Sequence, residues 1–204
     1  MTQTELEYEA VVDKCRRLFL LKAADYGLSW RVLRPESVTD QIYIKLKRIR
    51  TIEEKGERRV SDDVETEWVG VANYCVVALM LLSAGAGDDV FAQAQAVPNL
   101  QVLGAEYDRV VSEIKRVMRD KNHDYGEAWR DMRPESYTDL ALVKIVRVKS
   151  IESKGGQTLV SEGVEPNYRD IFNYAAFALI RIEERASAPE VENAPHPAAE
   201  WLGP

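Results

Sequence analysis

Apolar residues fall at helical spacing through most of this chain. In segment 4–22, Val11, Val12, Cys15, Leu18 and Phe19 mark one face of an amphipathic helix. The helix is expected to end before Asp25-Tyr26-Gly27, where glycine can adopt a backbone conformation closed to other residues. Arg34-Pro35-Glu36-Ser37 follows as an extended turn, because the residue before a proline is pushed out of helical geometry. Ser37 with Asp40 three positions on resembles a capping box, which predicts a second helix over 38–55, stopped by Lys55-Gly56. A third helix is predicted over 64–82, ending in the apolar run VVALMLL. No segment alternates at period two, so the predicted fold class is all-α.

The same pattern then recurs. Segment 7–82 aligns with 106–182 at an offset of 99, which becomes 100 after a one-residue insertion. Asp25, Tyr26, Gly27, Trp30, Arg31, Arg34, Pro35, Glu36, Ser37, Thr39 and Asp40 return as Asp124, Tyr125, Gly126, Trp129, Arg130, Arg133, Pro134, Glu135, Ser136, Thr138 and Asp139. Lys45, Arg48, Ile52, Glu53, Lys55 and Gly56 return as Lys144, Arg147, Ile151, Glu152, Lys154 and Gly155. Beyond the insertion, Glu65, Asn73 and Tyr74 match Glu165, Asn173 and Tyr174, and Pro166 suits a first helical position. The organisation is therefore a helical repeat over 4–82, a Gly/Ala/Gln-rich linker over 83–103, a second repeat over 104–185, and an Ala/Pro/Glu-rich tail over 186–204 expected to be disordered. Three helices leave a small core. The two copies are expected to hide their apolar faces against each other as one pseudo-symmetric bundle.

Between the copies many apolar positions changed (Ile42 to Ala141, Leu46 to Ile145), as a core permits when volume is roughly kept. The polar motif did not change, which favours a site over packing. On the second helix Lys45 and Glu53 fall inside the arc drawn by Ile42, Leu46, Ile49 and Ile52, and Lys144 and Glu152 fall likewise in the second copy. A charge on an inward face must be paired or solvated in a cleft. Two readings follow, a structural ion pair between helices or a lysine that meets an anionic ligand. Arg48 and Arg147 lie one turn further on, and Arg31, Arg34, Arg130 and Arg133 come from the loop; guanidinium groups suit phosphate, and surface ion pairs are the plain alternative. Tyr26, Trp30, Tyr125 and Trp129 are either stacking platforms for a base or core anchors. Asn73 and Asn173 sit deep in the third helix and need hydrogen-bond partners. Asp124, Glu152, Glu165 and Asp170 are the candidates for Mg²⁺, with His123 a candidate general base. Gly70 stands where the second copy has Asp170, and Ala24 where it has His123, so the second copy looks the more complete.

Composition narrows the function classes. With 46% hydrophobic and 30% charged residues the chain is that of an ordinary soluble globular protein. A net charge of −7 and a pI near 5.1 oppose non-specific binding to nucleic acid, while leaving room for a free nucleotide in a local cationic pocket. No uninterrupted apolar run approaches the ~20 residues of a membrane span, and the acidic N-terminus lacks the pattern of a signal peptide, so a cytoplasmic protein with no membrane partner is expected. Cys15 and Cys75 are read as small core residues.

The pattern K-x-x-D-Y-G-x-x-W-R-x-x-R-P-E-S-x-T-D, then K-x-x-R, then N-Y in a last helix, resembles the nucleotide modification associated domain family, the first of that name. The resemblance covers both repeats. It implies a part in modified-nucleotide pathways and a small-molecule nucleotide as partner. Apart from the resemblance, a second copy of the chain is a further candidate partner. A looser similarity is to the all-α nucleotide pyrophosphohydrolases, which are helical, carboxylate-rich and Mg²⁺-dependent. Their E-x-x-E and E-x-x-D motifs are not in place; Glu53-Glu54 and Asp170-x-x-Asn173 are partial echoes. On that resemblance Mg²⁺ held by the carboxylates would activate water, and Lys144, Glu152 and His123 would serve catalysis. Lys144, Arg147, Arg130 and Arg133 would then stabilise charge on the phosphates, and Tyr125 and Trp129 would contact the base. The alternative is a module that binds a nucleotide or a partner without turnover.

Overall fold

A computed structural model describes residues 1–56, 63–84, 89–158 and 162–187. Its long helices are α1 (Gln3–Tyr26), α2 (Pro35–Lys55), α3 (Val64–Ala84), α5 (Leu100–Tyr125), α6 (Pro134–Glu152) and α7 (Val164–Ser187), with a short α4 (Val90–Gln95) in the connector. Each copy also has one turn of 3₁₀ helix, Ser29–Val32 and Ala128–Asp131. No strand occurs among the described residues, and the protein is all-α.

Local chemistry sets the ends. Thr2 and Glu5 form a reciprocal capping box at the start of α1. Asn99 caps α5 by accepting from the backbone of Gln101 and Val102. The second helix of each copy begins three residues earlier than the sequence predicts, at Pro35 and Pro134, with extended Arg34 and Arg133 before them. Proline has no N–H to lose at a first helical position, and the Ser37 N–H already bonds the Arg34 carbonyl at 2.9 Å. Ser37 is therefore inside the helix and caps nothing. Gly56 ends α2 in the left-handed conformation, as its sequence position implies. The expected linker over 83–103 holds α4 and the first turn of α5. Residues 188–204, including His196 and Trp201, lie outside the described residues.

Helices α3 and α7 pack against each other at the centre, α2 lies on α3, α6 lies on α7, and α2 also packs on α6. Helices α1 and α5 each cross both central helices and touch each other. One continuous core results, with Tyr8, Ile42, Trp68, Tyr107, Ile145 and Phe172 all essentially buried. Neither copy closes a core alone, as three amphipathic helices would leave an apolar face in water. By length and hydropathy α3 could cross a membrane. Its central place in the bundle, with most of its residues buried, accounts for that apolarity.

The copies are joined by polar contacts that come in matched pairs. Thr39 donates to Glu152 at 2.6 Å and Thr138 to Glu53 at 2.8 Å. Tyr8 donates to Asn173 at 2.7 Å and Tyr107 to Asn73 at 3.0 Å. Arg31 pairs with Glu106 at 3.3 Å, and Arg130 with Glu7. Arg16 pairs with Asp108 at 2.7 Å and Lys115 with Glu9. Arg50 lies 3.6 Å from Asp139, and Lys149 pairs with Asp40. Each pair maps onto its mate under the repeat offset, which is the self-complementary geometry of a two-fold dimer built into one chain. Much of the unchanged polar motif thus lies at the interface between the copies.

Candidate functional site

Part of the motif, with Asn73 and Asn173 of the interface, lines two clefts. One, of about 530 Å³, is walled by α1, the aromatic turn, α2 and α3, and its wall includes Lys22, Tyr26, Trp30, Lys45, Gly70 and Asn73. The other, of about 420 Å³, includes Lys121, Tyr125, Trp129, Asp170, Asn173 and Phe177. Under the repeat alignment these are one cleft present twice. Its architecture follows from the sequence: α1 or α5 ends at the Asp-Tyr-Gly turn, the turn carries the tryptophan, and the N-Y helix closes the back. Tyr26 and Tyr125 stand at the rims, 71% and 73% exposed, so neither is a core anchor.

Lys45 on α2 and its counterpart Lys144 on α6 are each tied to a carboxylate, but the carboxylate comes from different positions. In the second copy Asp170 accepts from Lys144 and Lys121, both at 2.6 Å. Burial raises the Asp170 carboxyl, but the two lysines outweigh it and hold the group below its ordinary range. In the first copy Gly70 occupies the Asp170 position, and Glu67, one turn earlier, accepts from Lys45 at 3.1 Å and from Arg48. A Cβ on Gly70 would lie 2.8 Å from Lys45 Cε, so the missing side chain is what lets the lysine pass. Asn167 stands at the Glu67 position in the second copy and bonds the Gly163 carbonyl at 2.9 Å instead. The first copy is not short of a carboxylate, as the sequence suggested; the acid has moved one helical turn.

The tryptophans differ as well. Trp129 is 7% exposed; its indole N–H donates to Asn122 at 3.1 Å, and Phe177 stacks on it with centroids 4.4 Å apart and planes 8° from parallel. Trp30 has Ala23 in place of Asn122, so its buried Nε1 has no partner. It has Val77 in place of Phe177, and Phe19 meets it only at a tilt, 46° and 6.2 Å. Arg31 and Arg130 lie over the two indoles at 4.7 and 4.3 Å.

Other expected site residues fall elsewhere. Arg130 is committed to Glu7, Glu127 and Glu184. Arg34 and Arg133 precede α2 and α6 as exposed residues and line neither cleft, and Arg147 is exposed on α6. His123 and Asp124 contact each other at 3.2 Å and are 89% and 76% exposed, outside the cleft wall. The four carboxylates assigned to Mg²⁺ do not converge. Asp124 is with His123, Glu152 with Thr39 and Tyr168, Glu165 with Arg169, and Asp170 with two lysines. Among the described residues no group of three or more His, Cys, Asp or Glu is placed to hold an ion. Lys144 and Glu152 face separate partners, so they form no acid–base pair. Lys22 with Lys121, Glu67, Asn122 and Phe177 were missed. The two lysines had a signal in the sequence, since they recur three residues before Asp25 and Asp124.

The fold and clefts define a class: an all-α tandem duplication with an aromatic and cationic cleft in each half. Residues 22–82 and 121–182 match the family described as Nucleotide modification associated domain 1, and the chain belongs to that family. The matched stretches begin at Lys22 and Lys121, the cleft lysines. Searches of curated proteins and of solved structures return no match.

Proposed function

We propose that the protein binds a nucleoside phosphate in this cleft. The observation that carries the reading is the first cleft, where the Trp30 indole, the exposed Tyr26 and two lysines, Lys22 and Lys45, surround a cavity of ligand size; the second cleft repeats the indole, the tyrosine and one lysine, Lys121. An aromatic platform suits any base, and each stacked base contributes about 1–3 kcal/mol. Ammonium groups suit phosphate. The family's association with nucleotide modification supports the same ligand class. The reading is one of binding: the carboxylates a Mg²⁺-dependent hydrolase would need are engaged separately.

The test is thermal unfolding against ribo- and deoxynucleoside mono-, di- and triphosphates, with Mg²⁺ and with excess chelator. A ligand for the native state raises its stability by about 2.7 kcal/mol at a hundred times its Kd. A shift that persists in chelator is expected. No shift with any nucleotide would overturn the reading.

A further inference from the structure

The second cleft already contains groups of the kind the first is proposed to bind. Phe177 lies flat on Trp129 where a base would stack, and Asp170 bridges Lys121 and Lys144 where phosphate oxygens would sit. Asn122 takes the indole proton. In the first copy all three positions are changed in one direction, to Val77, Gly70 and Ala23. The consequences are an indole N–H with no acceptor and a larger cavity. Glu67 takes Lys45 and Arg48, and Lys22 makes no ion pair among the described residues. A buried N–H without an acceptor is destabilising, and a ligand acceptor would remove that cost.

We propose that the first cleft alone takes the ligand and that the second, though about 420 Å³ of space remains in it, is closed to that ligand by its own Phe177 and Asp170, which occupy the positions of the ligand's ring and its terminal anion. This rests on the nucleotide reading of the clefts. The closed cleft also states a length. Asp170 and Phe177 are seven residues apart on one face of α7, a rise of about 10 Å at 1.5 Å per residue. That separation exceeds the reach from a base to its α-phosphate and suits the terminal phosphate of a nucleoside di- or triphosphate. Such a ligand would stack on Trp30, accept from its Nε1, and place its outer phosphate at Lys22.

Titration calorimetry on the full chain tests this, with nucleoside mono-, di- and triphosphates and with anilinonaphthalene sulfonate as a non-nucleotide aromatic anion. The expected result is one site per chain, affinity rising from mono- to triphosphate, and at least a tenfold loss in Val77→Phe and in Gly70→Asp, each of which copies the closed cleft. Gly70→Asp lies on the cavity wall, so it remains informative if Val77→Phe disturbs folding. Phe177→Val should leave the first site intact. Two equivalent sites, or wild-type binding in both cleft-filling variants, would overturn the proposal. If the sulfonate binds once and is lost in the variants while no nucleotide binds, the asymmetry stands and the nucleotide reading fails. If neither probe binds, both fail.

Discussion

Thr39 of the first copy donates its hydroxyl to Glu152 of the second at 2.6 Å, and Thr138 makes the matching bond to Glu53 at 2.8 Å. Both threonines are fully buried, and both glutamates are pushed above the ordinary carboxylate range, chiefly by burial, with the threonine bonds pulling back. Removing either hydroxyl leaves a half-buried carboxylate short of a donor. Thr39→Ala and Thr138→Ala should each cost about 1–3 kcal/mol, read from denaturant midpoints. A double variant measures whether the two bonds act independently.

Those raised carboxyls also predict a pH dependence. Between the ordinary glutamate value of about 4.3 and the raised folded-state values, the folded chain holds more protons than the unfolded one. Their contribution to stability therefore falls as pH rises through that window. Glu53→Gln and Glu152→Gln keep an acceptor for threonine and remove the charge. Melting curves should show each variant gaining on the wild type above the window, with the difference shrinking toward pH 4. A loss at neutral pH would mean that the charge itself is needed.

Asp170 runs the other way. Its carboxyl is held low in spite of burial, because Lys121 and Lys144 bond to it, so its contribution is present at neutral pH and lost as acid protonates it. Asp170→Asn should cost about 1–3 kcal/mol at neutral pH and less in acid. Equal cost at both ends of the range would show that the lysines are not its partners in solution.

Two glycines at equivalent turns should respond unequally to alanine. Gly126 is in the left-handed helical region (φ 58°, ψ 41°) with nothing within 4 Å of a Cβ. Gly27 has φ 66° and ψ −151°, a region nearly restricted to glycine, and a Cβ there would lie 3.3 Å from the Ala94 carbonyl of the connector. Gly126→Ala should cost about 1 kcal/mol and Gly27→Ala roughly 2–3 kcal/mol. Equal costs would mean that the connector does not press on the first turn.

Cys15 and Cys75 are buried and free, and burial pushes the Cys15 thiol up to about 12. A thiol reagent at neutral pH should label neither until the chain unfolds. Rapid labelling of the native protein would contradict the buried placement.

The helices and the duplication were legible because periodicity and self-similarity are local to the string. Lys45 and Glu53 could be placed on an inward face by counting. Whether that face met a neighbour or a cavity could not, since that depends on how α2 crosses α3 and α6. Lys45 reaches a cleft, whereas Glu53 meets Thr138 from the other copy. Comparing the copies for unchanged residues selected much of the interface, because pairs such as Thr39–Glu152 and Tyr8–Asn173 keep both members under the pseudo-two-fold, while Arg16–Asp108 and Lys115–Glu9 keep only the charges. The differences informative for ligand were the changed positions (Val77 against Phe177, Gly70 against Asp170), which a search for constancy passes over. Glu67 escaped notice because its role had shifted one turn along the helix.

The most direct test of the central claim is a ¹H–¹⁵N spectrum of the tryptophan indoles, four in this chain, assigned by Trp→Phe variants and recorded during titration with nucleoside triphosphates. The account predicts that the Trp30 indole N–H moves as it gains an acceptor, while that of Trp129, already bonded to Asn122, holds its position. A Trp30 signal indifferent to every nucleotide, or a shift confined to Trp129, would contradict it.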